Sequence, residues 1–515
     1  MHLGIDFGTT RTVVACRDRG NYPVLSFLDA DDNPVDWFPS VVAERRGELR
    51  FGWDALAVSN DGEWTVLRSF KRLLSGHATA PDFSIEIGDT TFSGSEVITR
   101  FLAALRTAIL TRSNRPKRLR DTELVAVVAT PASAHGKQRF LTLDAFRRAG
   151  FDVTGMLNEP SAAGFEYAHR YRDTITTRRE HIVVYDLGGG TFDASLVRMS
   201  GRDHDAVATA GSAALGGDDF DELLADMVLR KARIKKAGLP RRRLALLVEH
   251  CREAKEHINP NSKRIVIDLE SCLGELFSRS AEATVMVDDY FDRCVPLVEK
   301  TLKVMAPVLG HLEADRDDPL SELAGIYVVG GASALPVVGR VLRDAFGRRV
   351  HRSPYPSGAI AIGLAIAGDE SSGYKLRDRL SRHFGVFRER DAGRDVSFDP
   401  IFSRDTKVPT LRDEAVVHRR VYRAAHNVGR YRFVECASLD PNGVPLGDIT
   451  AYGDVLFPFD HGVRERADLA AVPVHRIAHE GPLIEEAYRV TEHGLVRVTI
   501  TDLESGFSRA FDVGA

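Results

Sequence analysis

Ile182-Val183-Val184-Tyr185-Asp186-Leu187-Gly188-Gly189-Gly190-Thr191-Phe192-Asp193 is the stretch that decides the fold. Ile182–Tyr185 reads as a strand that delivers Asp186, and Phe192–Val197 as a returning strand. Three consecutive glycines cost backbone entropy and make sense where the chain passes close to a ligand. The same order occurs near the N-terminus: Leu3-Gly4-Ile5-Asp6-Phe7, the turn Gly8-Thr9-Thr10, then the apolar run Thr12–Cys16. Strand, Asp, glycine turn, Thr and strand occurring twice predicts two related halves that face each other. Backbone N–H groups and threonine hydroxyls of both turns can point at phosphate oxygens. Asp6 and Asp186, opposed across a cleft, can hold the waters of Mg²⁺, an ion that dehydrates reluctantly.

Outward from these loops, Val125–Ala129 reads as a strand ending at Thr130-Pro131-Ala132-Ser133. Lys137–Ala149 has helical spacing through Phe140, Leu143 and Phe146. Gly216-Gly217 opens a helix marked by Phe220, Leu223, Leu224, Met227 and Val228, with acidic residues at its start. Leu246–Ile258 reads as helix, and Ile326–Val329 as a strand feeding Gly330-Gly331, with Pro336 near a helix start. The glycine pairs 216/217 and 330/331 fit either a ligand against a helix N-terminus or close helix packing. No GxxxxGK[ST] string occurs, which excludes a P-loop enzyme.

The 515 residues are too many for one core, and 43% apolar with 28% charged residues is a globular composition. A formal net charge of -4 gives no general attraction to nucleic acid or to an anionic membrane. The run Arg241-Arg242-Arg243 reads as a solvated face. Five scattered cysteines without a CxxC pair argue against disulfides and structural zinc, and Cys251 reads as a buried small hydrophobe. Neither a signal peptide nor a membrane span is read, so the expected compartment is the cytoplasm. The polar stretch Asp369–Gly373 marks a boundary, and residues 381–515 hold short alternating runs such as Arg430–Ala437 and Leu495–Thr501. The resulting division is 1–368, a linker 369–380, and a β-rich part 381–515.

Residues 1–368 resemble the nucleotide-binding domain of the heat-shock-70 chaperone family. Besides the two Asp-glycine-Thr loops, the resemblance is carried by Leu157-Asn158-Glu159-Pro160-Ser161-Ala162-Ala163, Leu215-Gly216-Gly217-Asp218-Asp219-Phe220-Asp221 and Val329-Gly330-Gly331. It implies an α/β fold of the actin-like ATPase type, a duplicated ribonuclease-H-like domain, followed by a β-rich substrate-binding-like domain. The implied ligands are ATP and Mg²⁺. Asp6 and Asp186 would hold hydrated Mg²⁺, and Thr9, Thr10 and Thr191 would contact phosphate. Gly8, Gly188, Gly189, Gly190, Gly216, Gly217, Lys255, Gly330 and Gly331 would complete the nucleotide site. Lys71, in Phe70-Lys71-Arg72-Leu73-Leu74, would position the γ-phosphate and attacking water, with Glu159, Asp186 and Thr191 as catalytic partners. Without the resemblance, Lys71 reads as a surface lysine.

The base end departs from the family. Arg252 stands where the family has Glu, Glu256 where it has Arg, and Asn259 where it has Ser. Ala334 replaces an arginine that lies on the adenine face, and Ser357 replaces Asp. The expectation is weaker base discrimination, because alanine cannot supply guanidinium stacking. The linker stretch Tyr374-Lys375-Leu376-Arg377-Asp378 has few apolar anchors, so slight coupling between nucleotide and the second domain is expected. A fainter resemblance to the peptide-binding sandwich rests on Phe402–Pro409, Asn442–Pro445 and Glu492–Thr499 with Asp502. The chain ends at Ala515, and no helical lid is expected after it. The leading function is a slow ATPase and chaperone whose partner is unfolded or extended polypeptide, with co-chaperones as further partners. The alternative is a nucleotide-gated regulatory or scaffolding ATPase with a dedicated protein partner. A small-molecule kinase on the same fold lacks a visible acceptor site.

Overall fold

The structure is a computed structural model. It describes all residues except 30, 60, 73–82, 117–122, 133, 201–202, 213, 275–280, 313–319, 374, 391–393, 410–412, 479 and 515. Leu73, Leu74, Ser133 and Tyr374, named above, lie outside the described residues.

The first half is built on a sheet in the order Asp152–Asn158, Val125–Thr130, His2–Phe7, Arg11–Cys16 and Phe38–Pro39. The first three strands run parallel, and Arg11–Cys16 returns antiparallel to His2–Phe7 with Asp6 opposite Val13. These strands are apolar on both faces because helices cover both. Phe7 is fully buried, its ring 5.5 Å from Phe101 and 6.4 Å from Phe146. Burial of such a ring contributes about 2 kcal/mol.

The second half repeats the plan. Its sheet runs Val350–Arg352, Leu323–Val329, His181–Leu187, Phe192–Ser200, Asp203–Ser212 and Lys375–Arg377. Leu323–Val329 is parallel to His181–Leu187, and Phe192–Ser200 returns antiparallel with Asp186 opposite Asp193. Two helices, Glu159–Arg170 and Ala359–Ala367, pack against each other between the halves. A Cβ on Gly363 would lie 1.8 Å from the Ala162 carbonyl oxygen, so the small residues are what let these backbones touch. The two halves and their shared helices therefore bring both strand ends, with Asp6 and Asp186, to one cleft. No helix among the described residues is long and apolar enough to cross a membrane.

The β-rich part is a sandwich. One sheet orders Asp395–Phe402, His383–Arg390, Val428–Leu439 and Pro445–Ala451, with Val455–Pro458 also on Val428–Leu439. The other orders Val416–Arg423, Leu483–Val490, Val496–Asp502 and Ser508–Asp512. All pairs are antiparallel, and Phe384, Phe433, Tyr488 and Val498 fill the space between. The turn at 441–443 is held by the Asp440 carboxylate, which accepts from the backbone of Asn442 and Val444 at 2.8 and 2.7 Å.

The connection is packed against the α/β part. Lys375–Arg377 adds a parallel strand to Asp203–Ser212. Asp378 is buried and accepts from the Asn158 backbone N–H (3.0 Å), Asn158 Nδ2 (2.8 Å) and Ser161 Oγ (3.4 Å). Burial raises its pKa, against the pull of Arg139 and the Asn158 backbone N–H. Arg139 is buried too, donating to Thr130 Oγ1 (2.8 Å), Asn158 Oδ1 (2.9 Å) and the His493 carbonyl of the sandwich (2.9 Å). The Gly136 N–H donates to Glu435 at 2.9 Å, and Leu495 joins the core of the first half. The connection is thus fixed by backbone pairing and a polar anchor, which a count of apolar residues does not register.

Candidate functional site

The two glycine loops close on each other at the floor of a cleft. A Cβ on Gly189 would stand 1.9 Å from Thr10 Oγ1, so only glycine leaves the two loops this close. The Gly188 and Gly189 carbonyls accept from the Gly217 and Asp218 N–H groups at 2.9 and 2.7 Å, which docks the Gly217–Ala232 helix N-terminus beside the second loop. Gly330 has φ of 86°, a conformation side chains disfavour, and a Cβ there would meet Asp186 Oδ1 at 2.3 Å. Gly8, Thr9, Thr10, Gly188, Gly189, Thr191, Gly217, Gly330 and Gly331 all line this cavity of about 250 Å³. Gly190 and Gly216 lie behind it, against each other: a Cβ on Gly216 would sit 2.5 Å from the Gly190 carbonyl carbon.

Acidic side chains gather at the strand ends. Asp6, Asp186 and Asp193 are buried. Burial, then repulsion from Glu159, pushes Asp6 and Asp193 up to about 7. Asp186 is held well above the usual carboxylate range by burial, then by Glu159, Asp193 and Asp6. Lys71 stands in the short turn Phe70–Arg72, buried rather than at the surface. Its Nζ donates to Glu159 Oε1 at 2.9 Å and lies 5.4 Å from the Phe7 ring centroid. Burial lowers its pKa, but Glu159 and Asp6 outweigh that and leave it raised. Glu159 opens the Glu159–Arg170 helix, with Pro160 just inside it.

Four buried carboxyl groups gather with the Lys71 ammonium, and burial and mutual repulsion hold Asp6, Asp186 and Asp193 toward their protonated forms. Asp193 Oδ1 is buried with no hydrogen-bond partner among the described residues. Carboxyl groups that can give up protons beneath loops that leave room for phosphates are a donor set a hydrated cation fits. No group of three or more described His, Cys, Asp or Glu side chains could itself hold a metal ion.

At the other end of the cleft, Lys255 Nζ pairs with Asp221 at 2.6 Å and donates to the Gly217 carbonyl at 3.0 Å. Arg252 bridges Asp218 and Asp221 at 3.1 and 3.2 Å. Arg11 crosses from the first half to pair with Glu256 of the Arg241–Glu256 helix, and Arg68 pairs with Glu249 at 3.2 Å. Ala334 and Ser357 also line this end.

Sequence reasoning named Asp6, Lys71, Glu159 and Asp186 separately, and the fold brings them into one buried cluster. It gave no role to Asp193, although period-two alternation across the Asp186 turn was a usable signal. It also missed Asp221 and Arg11, whose partners lie on other elements and leave no local pattern.

A family model described as Hsp70 protein matches residues 2–381. Over 386 residues the chain is 31% identical to the "Chaperone protein HscA homolog" of Colwellia psychrerythraea strain 34H, which is 72% of this chain and 58% of that protein. It is likewise 31% identical, over 434 residues, to the proteins of that name from Burkholderia pseudomallei strain 668 and Burkholderia mallei strain SAVP1, covering 80% of this chain and 65% of each. The chain thus spans 58–65% of the length of these curated relatives.

Proposed function

This chain belongs to the Hsp70 family, and from that premise we propose that it binds Mg-ATP between its two halves, hydrolyses it slowly, and uses the nucleotide to control binding of extended polypeptide. The observation that carries this reading is the buried Lys71–Glu159 pair set among Asp6, Asp186 and Asp193 below the glycine loops. Residues 1–368 are the nucleotide-binding domain, 369–380 the linker and 381–515 the polypeptide-binding domain.

Bound Mg-ATP supplies the scissile phosphoanhydride and a cation that offsets its charge. The chain's own groups then bind and orient. Thr9, Thr10 and Thr191, with the backbone of Gly8 and Gly188–Gly190, grip the phosphates. Asp6 and Asp186 hold the cation's waters. Lys71 would position the terminal phosphoryl group and the attacking water, and Glu159 fixes its ammonium. Lys255, tied to Asp221, holds the helix N-terminus that faces the nucleotide. Catalysis of this kind is mostly positioning and charge stabilisation, which rigid buried groups supply without reorganisation.

Coupling has a physical path. Pro131 and Gln138 line the nucleotide cleft, and Gln138 begins the same helical turn as Arg139, which is bonded to the sandwich. The linker strand and Asp378 lie on the same interface. These contacts favour stronger coupling than the linker's poverty in apolar residues suggested. In the sandwich, Leu446 and Ile449 on the outer strand Pro445–Ala451 are about half exposed, which suits an extended chain laid along a sheet edge.

The test uses the full chain: calorimetry with ATP and ADP, with and without Mg²⁺, and anisotropy of labelled unfolded apolar peptides with and without Mg-ATP. Mg-dependent nucleotide binding is expected, and ATP and peptide should weaken each other by the same factor. No heat and no competition by either nucleotide would overturn the reading. Nucleotide binding without any peptide binding would instead favour the regulatory ATPase with a dedicated partner.

A further inference from the structure

Glu256, Ala334 and Ser357 line the end of the cleft that carries Lys255, and none of them supplies a planar cation. Among the described residues two guanidinium groups line the cavity, those of Arg11 and Arg252. Arg252 is committed: Asp218, Asp221 and Glu249 all bind it, and its side chain is only 12% exposed. It braces two helices of the second half.

Arg11 is held differently. It begins the strand Arg11–Cys16, directly after the phosphate-loop residues Thr9 and Thr10. Among the described residues its side chain reaches across the cleft to one carboxylate, Glu256, in the last turn of the opposite helix. Its guanidinium carbon lies 4.5 Å from the centroid of the Trp37 ring, so an indole backs one face of the cation. The side chain remains 31% exposed and lines the cavity, whereas Trp37 does not line it. A planar cation, backed by an aromatic ring and aimed by one carboxylate, presents its other face to whatever occupies the cleft.

We propose that Arg11 is the base-contacting residue of this chain: oriented by Trp37 and Glu256, it delivers from the first half the guanidinium plane on which a purine base stacks. Glu256 is then a positioning residue that aims Arg11. The inference rests on the reading that the cleft takes Mg-ATP.

The experiment compares Mg-ATP with Mg-tripolyphosphate, which has phosphates and no base, on the full chain and on Arg11→Ala, Arg11→Lys and Glu256→Gln. Arg11→Ala is expected to weaken Mg-ATP about tenfold while changing tripolyphosphate binding less than about twofold. Arg11→Lys keeps the charge but not the plane, and should recover less than half of that loss on a logarithmic scale. Glu256→Gln should fall between wild type and Arg11→Ala. Retained tripolyphosphate binding also shows that each variant is folded. Equal loss for both probes would make Arg11 a phosphate or structural residue, and no loss for either would remove it from the site; both overturn the proposal while leaving the cleft reading intact. Wild-type protein that binds neither probe would overturn the cleft reading and this proposal together.

Discussion

The end of the cleft proposed to take phosphates and the end proposed to take the base are built by different means. At the phosphate end the essential parts are backbone shape and buried charge: Gly189 against Thr10, Gly330 against Asp186, and Lys71 among carboxylates. Any side chain added at Gly189 or Gly330 meets atoms of the opposing loop or of Asp186 itself. At the base end the parts are long side chains on helix and strand surfaces, Arg11, Arg252, Lys255 and Glu256, tied by ion pairs of which Arg11–Glu256 is partly exposed and those of Arg252 and Lys255 are largely buried. A contact made by backbone is hard to exchange, whereas one made by a side chain can be handed to another element. The departures Arg252, Glu256, Ala334 and Ser357 lie in the second region, although Asp218, Asp221 and Lys255 remain beside them.

The largest effect is expected at Lys71, which holds the charge at the glycine-loop end. Lys71→Ala is expected to slow single-turnover hydrolysis by about a hundredfold or more, as loss of one preorganised charge at a phosphoryl group does. Binding of Mg-ATP should change far less. An unchanged chemical step would remove Lys71 from the mechanism and with it the claim that this end is built for chemistry.

A change of pH is the next lever, and it acts on the phosphate end alone. In the nucleotide-free protein Asp6 and Asp193 keep their protons up to about pH 7. Cation binding requires the ionised forms, so protons leave on binding and affinity for Mg-nucleotide should rise with pH until about 7, then level off. The slope is at most about tenfold per pH unit for each proton released. Below that pH the folded, nucleotide-free chain holds protons that the unfolded chain has already lost. Its stability should therefore fall as pH rises from the ordinary carboxylate range towards about 7. Calorimetry in buffers of different ionisation heat measures the proton release, and Asp193→Asn should reduce it. Zero release across this range would show that the carboxylates are already ionised.

The smallest effect is expected at the base end. With Ala334 and Ser357 lining it and one guanidinium supplied by Arg11, preference for ATP over GTP should be no more than about tenfold, since a single stacking contact is worth about 1–2 kcal/mol and is shared by both purines. Competition between the two nucleotides measures this directly. A strong preference would mean that hydrogen-bonding groups at that end read the base edge.

Local sequence was a good guide wherever a role depends on neighbours in the chain. The strands ending at Asp6 and Asp186, the glycine turns and the helix after Gly216-Gly217 were all legible, because alternation, turn residues and helical spacing are local signals. The expected runs Arg430–Ala437 and Leu495–Thr501 lie in the strands Val428–Leu439 and Val496–Asp502, apart from Leu495 just before the second. Roles that depend on partners far away in sequence were not legible. Arg252 read only as a departure from the family until Asp218 and Asp221 were seen to bind it. Asp378 read as one polar residue in a weak linker, yet it is buried on Asn158 and Ser161, whose partnership spans more than 200 residues.

Chain-local patterns were enough to specify two similar halves, each offering a carboxylate and a phosphate-sized turn, because a glycine turn after a strand has few alternative shapes. Only the tertiary structure decided that Lys71 is buried on Glu159, that Arg11 crosses to Glu256, and that the sandwich rests on Arg139. Charged side chains are long and can pair in many ways. Which pairing forms is set by the packing that brings distant elements within reach, and by the cost of burying any charge left without a partner.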